Sequence, residues 1–502
     1  MEETIPFISN TVAVVRDPPA FWARTLKTMQ RLKTEIVQFR LNFVPVYVVV
    51  GEQKVNVLFR LNTGFSTQRI HNLFSNAMFG PTDRDKARFA ADVTGIENKP
   101  VPGSEHIEDR LWVTLHNVIP HEHLLRIKPS TDLANWFFDR FIARTTELFP
   151  LGKPTEMLIW DFLKYNQTET AGRALHGNLV FDMNPGYIDA MLKYDLSAVP
   201  VAFGPPRWVN PQPYIDREAF LNMTRRYMAK ALPLFDSSSS AATSPDWDPT
   251  FGSPFTRSII RWGLEASLDT QTIAGICGAQ ISIQNANSVP ASAWCIMAAL
   301  TVPDPELLPN LRSESLAAFS GLGKKTFDVQ KLVSSPWLQA IYTEVLRLRA
   351  IHSVIRDCDK DTVLDRTNIP KGAMVYAPMP IAHNNPIWGV EGHPPEDFWP
   401  RRHLTAAVAP DGTKTWEFAV GSSRSGYFFP YGGGLTMCPG RNFAKQEIIG
   451  TLVIFLMQFE VEVVGWVMHD GVTVSERPAE GGVGMVVCQP DRELKVKVTR
   501  RW

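Results

Sequence analysis

The chain has 502 residues, 44% hydrophobic and 20% charged, enough apolar mass for a sizeable core and the balance of a soluble globular protein. Lys+Arg and Asp+Glu both number 51, so the formal net charge is zero and the basic surplus of a nucleic-acid binder is missing. Five scattered cysteines (Cys277, Cys295, Cys358, Cys438, Cys488) without a Cys-x-x-Cys pair argue against a disulfide framework and a zinc ribbon.

The N-terminal stretch IPFISNTVAVVRDPPAFWARTLKTMQRL predicts turns running into an amphipathic helix. VPVYVVVGEQKVNVLF predicts a hairpin, two β-branched runs about Gly51-Glu52-Gln53. From about 105 to 235 the pattern is mostly helical, with Pro/Gly breaks. The low-complexity stretch DSSSSAATSPDWDP, 236–249, predicts a surface loop, because helical patterning resumes on both sides. Helices are predicted again from 255 to 350, and short strands and turns from 351 to 430. A long helix should follow Cys438, with a β-rich tail to Trp502. The most hydrophobic run, IIGTLVIFLMQFEVEVV from Ile448, is interrupted by Gln458 and Glu460. It falls short of the ~20 apolar residues a bilayer span needs and predicts a buried helix passing into a strand. Many helices with a minority of segregated strands make a mostly α, α+β layout, read as one domain over 1–502.

FFPYGGGLTMCPGRNFAKQE, 428–447, carries the chemistry. An ordinary thiol is mostly protonated at neutral pH, and its anion is favoured by N–H donors and a helix N-terminus. Gly432, Gly433 and Gly434 allow a tight turn that approaches a flat ligand closely, and Cys438 stands where a helix begins.

The spacing Gly434-xxx-Cys438-x-Gly440-Arg441-x-Phe443-Ala444 resembles the haem-binding loop of the cytochrome P450 superfamily, Phe-x-x-Gly-x-Arg-x-Cys-x-Gly. Tyr431 stands in the Phe position and Thr436 in the Arg position, where the family's arginine usually pairs with a haem propionate. That substitution resembles the branch of sterol 7α- and 12α-hydroxylases and prostacyclin synthase. Two further motifs follow the family's order across the chain. YTEVLRLRA contains Glu344-x-x-Arg347, and PPEDFWPRRHL contains Pro395, Glu396, Phe398, Pro400 and Arg402, with His403 replacing the usual aromatic.

The resemblance implies a large helical part and a smaller β-rich part around a buried haem (heme b), its iron ligated by the Cys438 thiolate. The loop 428–442, with Tyr431, Gly432, Gly434 and Gly440, would cradle it. Glu344, Arg347 and Arg402 would form a buried structural triad. Arg356 falls where the family often has a propionate-binding arginine. The family's Trp-x-x-x-Arg matches Trp112-x-x-x-His116, with His123 and Arg126 as competitors.

In the distal helix, QNANSVPASAW resembles the branch's Gln-Ala-Asn-Thr-x-Pro-Ala and replaces the usual acid–alcohol pair. Asn287 takes the alcohol position with Ser288 beside it, both expected at the catalytic face, and Pro290 predicts a kink. Polar Gln284, Asn285, Asn287 and Ser288 in an apolar helix read as a water-filled, ligand-facing run. By the same resemblance Ile283, Asn287, Ser353, Val354, Val483 and Met485 are expected to contact substrate.

The implied activity is oxidation of a lipophilic small molecule with dioxygen and electrons from NADPH-cytochrome P450 reductase. The alternative is a reductant-independent isomerase or dehydratase of a peroxide, and a third reading is a silent ligand-binding protein. Arg441 and Lys445 would either present positive charge to the reductase or serve as ordinary bases. A monomer at the cytosolic face of the endoplasmic reticulum is expected, with a membrane anchor removed from this chain.

Overall fold

The computed structural model describes residues 9–41, 43–60, 64–321, 326–408, 414–419, 424–482 and 484–502. In chain order the elements that frame the site begin with α1 (Pro18–Leu32), β1 (Ile36–Leu41), β2 (Val44–Val49), α2 (Glu52–Arg60), β3 (Phe65–Ser66) and α3 (Gln68–Phe79). A short helix, Leu111–Val113, and two π-type segments, Thr114–Val118 and His121–Leu125, lead into α4 (Ile127–Leu148), β4 (Pro154–Leu158) and α5 (Ile159–His176). Then come α6 (Tyr187–Phe203), α7 (Gln212–Ala231), α8 (Thr270–Thr301), α9 (Pro336–Arg349), β5 (Ser353–Cys358), β6 (Met374–Pro378) and α10 (Met379–His383). The last are α11 (Arg441–Gln458), β7 (Phe459–Val467) and β8 (Glu493–Arg500).

Helices dominate and the sheets are small and segregated, the α+β layout expected. A five-stranded sheet has the order β1-β2-β6-β5-β3, with β2 and β6 parallel, and a three-stranded sheet has the order β7-β8-β4. The run from Ile448 does pass from helix α11 directly into strand β7.

The hairpin expected about Gly51-Glu52-Gln53 is corrected. Strand β2 pairs backwards with β1, Ile36 opposite Val49, and Glu52–Arg60 is helical. Val55 and Leu58, three residues apart, both turn inward, while Glu52 and Arg60 sit at the ends that suit their charges. The 236–249 stretch is largely exposed. Buried Arg257 pins it through the carbonyls of Ser244 and Asp246, 2.6 Å each.

Helix α8 is the axis of the larger core. The Asp269 carboxylate caps it by accepting from Gln271 N–H at 2.8 Å, and it carries no charged side chain along its length. It packs on α3, α5, α7, α9 and α11. A second, smaller core under the five-stranded sheet contains Val55, Leu58, Val354 and Phe429. Phe443 belongs to the larger core and Phe429 to the smaller, so the cysteine loop is clamped between the two.

Candidate active site

The glycine run has a local reason. Gly432 and Gly434 adopt φ +75° and +65°, the left-handed region that favours glycine. A Cβ on Gly433 would stand 2.2 Å from the Phe59 ring, and one on Gly434 2.2 Å from the Phe59 carbonyl oxygen. The loop therefore lies directly on α2, and Cys438 N–H closes it by donating to Tyr431 O at 2.9 Å. Gly440 differs: a Cβ there would meet Cys438 Sγ at 3.8 Å and Leu124 at 4.0 Å, so its bareness relieves no clash and leaves one side of the sulfur open.

Burial pushes the Cys438 thiol up, opposed by the backbone N–H groups of Gly440 and Arg441 and by the Arg441 charge. The helix start thus supplies the expected donors, and a metal cation would complete the stabilisation of the anion. Arg441 folds back to donate to Cys438 O at 2.9 Å, and Lys445 donates to Gln339 at 2.7 Å, so both are engaged inward. The Tyr431 hydroxyl lies 2.5 Å from that of Tyr342 on α9.

Behind the loop, Glu344, Arg347 and Arg402 do come together. Arg347 donates to both Glu344 oxygens at 2.8 Å, and Arg402 Nε donates at 2.9 Å. His403 Nε2, at 2.8 Å, and the Trp399 N–H, also at 2.8 Å, complete the shell. All four side chains are fully buried. Burial alone would raise the Glu344 pKa, but the Arg347 and His403 hydrogen bonds hold it well below the carboxylate range. His403, noted in the sequence only as a replaced aromatic, is the fourth member.

His383 was missed altogether. Its Nε2 accepts from Phe429 N–H at 3.1 Å, which fixes Nδ1 as the donor to Arg347 O at 3.1 Å. Burial lowers its pKa to about 3, so the ring is neutral and ties the cysteine loop to α9.

On the opposite side, α8 divides its polar run. Asn287 Oδ1 accepts from the N–H groups of Val486 and Val487 at 3.1 and 3.2 Å, while Nδ2 makes only a 3.4 Å contact with Ile283 O. Ile283 beside it is 38% exposed. Ser288 turns away, donating to Gln284 O (2.9 Å) and to Glu447 on α11 (3.0 Å). The expected pairing of Asn287 and Ser288 at one face is corrected, because about 100° of helix rotation separates neighbouring residues. Gln284 and Asn285 likewise turn from the Asn287 face: Gln284 bonds Ala171 O on α5, and Asn285 donates to Ile281 O.

The expected substrate segments converge. Ile351 N–H donates to Val486 O at 2.8 Å, so the 484–487 loop is held by both Asn287 and the chain entering β5. Ser353 and Val354 are buried at the start of β5, and a Cβ on Gly432 would lie 4.0 Å from Val354. Met485 is half-buried; Val483 lies outside the described residues.

Arg356 is 7% exposed and donates to Ile355 O, Gly433 O and Thr436 Oγ1 at 2.9, 2.9 and 2.8 Å. None of these acceptors is a carboxylate, and burial lowers its pKa to about 10. Thr436, in the missing-arginine position, is thus where Arg356 arrives from β5. Close by in electrostatic terms, His71 feels both Arg356 and His116. His71 and His116 stack at 4.8 Å, and His116 stacks on Trp112 at 5.4 Å.

The buried His116 Nε2 has no hydrogen-bond partner, and burial lowers that ring to about 4. Trp112 is corrected from ligand to scaffold: it is fully buried and its indole N–H donates to Phe89 O at 2.9 Å. His123 turns to Ser258 (2.9 Å) and Arg126 to Glu122 (2.8 Å), leaving His116 of the three competitors. No sequence signal marked His71.

Residues 288–472 match the family model described as Cytochrome P450. Over 503 aligned residues the chain is 35% identical to "Cytochrome P450 monooxygenase calL" of Penicillium decumbens, covering 99% of this chain and 92% of that protein. "Cytochrome P450 monooxygenase efuG" of Hormonema carpetanum is 24% identical over 92% of this chain and 84% of its own. "Cytochrome P450 7A1" of Sus scrofa is 31% identical over 36% of each. The chain belongs to the cytochrome P450 family and is an enzyme of its monooxygenase class.

The family implies a haem held by a cysteine thiolate. The residues present suit such a group: a sulfur with one open side, a buried arginine without a counter-charge and an orphaned imidazole nitrogen. Among the described residues no cluster of three His, Cys, Asp or Glu side chains is placed to hold a metal alone.

Proposed function

We propose that the chain is a haem-thiolate monooxygenase inserting one oxygen atom of dioxygen into a lipophilic small molecule. Cys438 would ligate the iron, with Gly432, Gly434 and Gly440 keeping the loop low enough for a flat macrocycle. Arg356 would receive one propionate, and His116 with His71 the other. Bound through a thiolate, haem supplies an electron-rich iron that favours cleavage of the O–O bond.

The chain's own residues set what happens around it. The Asn287 amide, its oxygen committed to the 486–487 backbone and its Nδ2 engaged only by a 3.4 Å contact with Ile283 O, would orient a hydrogen-bond donor into the ligand space. Ile283, Val354 and Met485 offer apolar surface that favours a sterol, terpenoid, fatty acid or similar metabolite over a polar one. The Glu344 network and His383 hold the cysteine loop rigid from behind. The observation that carries the reading is the buried, uncompensated Arg356 beside the open-sided Cys438 loop.

Electrons would come from NADPH-cytochrome P450 reductase, at the cytosolic face of the endoplasmic reticulum. No helix among the described residues is long and apolar enough to cross a membrane.

Turnover of a lipophilic substrate panel with and without NADPH and reductase tests the reading, and reductase-dependent product is the expected result. Conversion of a hydroperoxide without reductant, and no reductase-dependent product, would replace it with the isomerase reading. A reduced–CO spectrum of the histidine type, or haem retention unchanged in Cys438→Ala, would remove the thiolate.

A further inference from the structure

A haem brings two propionate carboxylates, and the cluster around Arg356 meets them with one permanent cation. None of the Arg356 hydrogen bonds goes to a carboxylate, so its charge is free to pair with the first propionate. The second would leave a negative charge in a buried setting, which proteins avoid by pairing it or by supplying a proton.

The groups able to carry that proton stand beside Arg356. His71 on α3 and His116 on the π-type segment stack at 4.8 Å with their planes 14° apart. Trp112 lies 5.4 Å from His116 and 5.7 Å from His71. His116 Nε2 is buried without a hydrogen-bond partner, while His71 Nδ1 has a 3.4 Å contact with Thr67 Oγ1.

The charged side chains on the surrounding elements are turned elsewhere. Arg69 on α3 faces Asp357 at 3.6 Å, and Arg110 donates to Thr94 Oγ1 and to the Glu97 and Asn98 carbonyls. Asp92 accepts from Trp112 N–H at 2.9 Å and from the Thr94 N–H and hydroxyl at 3.1 and 2.6 Å. From β5, Arg356 is the cation that His71 feels.

Burial lowers His116 to about 4 and holds His71 well below its ordinary value, so both rings are neutral near neutral pH. A carboxylate set against His116 Nε2 reverses that balance, because the ion pair favours the imidazolium. The Trp112 ring, inside the ~6 Å reach of a cation–π contact, favours the charge as well. His71 cannot follow, since two like charges in one stack repel. One proton is therefore the most the pair takes.

The sign of the linkage follows. Binding raises the His116 value from about 4, so a proton is gained with the ligand at every pH between the free and the bound values. In that window affinity falls about tenfold for each pH unit upward, and it levels off once the bound ring has lost its proton too.

We propose that this pocket takes its second propionate together with one proton, lodged on His116, so that cofactor retention weakens as pH rises. The proton comes from solvent and returns to it on release. The inference rests on the haem-thiolate reading and deepens it. It gives the stack a task that a guanidinium, charged at every working pH, cannot perform.

Haem transfer from the holoenzyme to a scavenger globin, followed from about pH 6 to about pH 9, tests this without any turnover. Wild type should lose haem about tenfold faster at the alkaline end. His116→Arg supplies a permanent cation and should be slow throughout. His116→Gln supplies none and should be fast throughout, so wild type passes from the first behaviour to the second. All three keep Cys438, whose own protonation would speed loss toward acid, and taking rate ratios removes that effect. A wild-type rate in constant ratio to that of His116→Arg overturns the proposal, as does an equal slope in His116→Gln. If His116→Gln does not fold, the first ratio still decides. A constant ratio in protein with a thiolate-type reduced–CO spectrum sinks this inference alone. Purified protein that takes up no hemin sinks the haem reading with it.

Discussion

Two buried clusters rich in basic residues lie near the cysteine loop, and they are built on opposite terms. Around Glu344, two arginines and a histidine share one carboxylate, and its oxygens take five hydrogen-bond contacts. Around Arg356, a guanidinium and two stacked imidazoles share no carboxylate, and one ring nitrogen is orphaned. The first is complete and reads as structure. The second is complete only when an anion arrives, which is what marks it as a binding site.

Glu344→Ala breaks the complete cluster and should have the largest effect. It strands Arg347 and Arg402 in the interior at a cost of about 3–5 kcal/mol, read as a lower urea midpoint or loss of soluble protein. Glu447 is a third case, a buried acid bonded by Gln167 and Ser288 on one oxygen, its other oxygen unpartnered and no cation bonding it. Its pKa of about 7 stands above the ordinary 4.5. The stability its neutral form contributes is therefore fully present below the unfolded value and lost as pH rises through about 7. About 3 kcal/mol is at stake, and urea titrations from acid to neutral pH should lose this slope in Glu447→Gln.

Arg356→Ala sharpens the contrast, because it gives up three hydrogen bonds but strands no counter-charge, so apoprotein stability should fall by only about 1–2 kcal/mol, less than in Glu344→Ala. Haem affinity should fall by about 1.5–3 kcal/mol, roughly 10–100-fold, measured by haem transfer to a scavenger. The smallest effect belongs to Tyr431→Phe, which restores the family's usual residue and removes only the Tyr342 hydroxyl contact. About 1 kcal/mol of stability is expected to go, with the reduced–CO spectrum retained.

What the sequence displayed was what is local. The glycines carry their own backbone requirement, Cys438 sits at a helix start, and Glu344 and Arg347 are one turn apart, so motif and geometry coincide. Of meetings between residues far apart, the motifs announced only some, such as Arg402 with Glu344. His383 finds Phe429 and His71 finds His116 only through packing, with no motif around His383 or His71, and the motif that held His403 did not announce its bond to Glu344. Trp112 matched a motif, yet its donor was already taken by Phe89. Residues 52–60 misled because Val55 and Val57 suggest a strand, while the spacing of Val55 and Leu58 decides for a helix. Adjacent Asn287 and Ser288 looked like one feature, and the helix turns them about 100° apart, one toward the 486–487 backbone and the other toward Glu447.

The Asn287 clasp has a mechanical consequence. A single amide oxygen supports two backbone donors 199 and 200 positions further along the chain. Whatever tugs the nitrogen of that same amide is felt at the C-terminal loop, and a guest leaning on Met485 is felt in the helix. Roof and wall of the chamber move as one piece, so altering either end retunes the other.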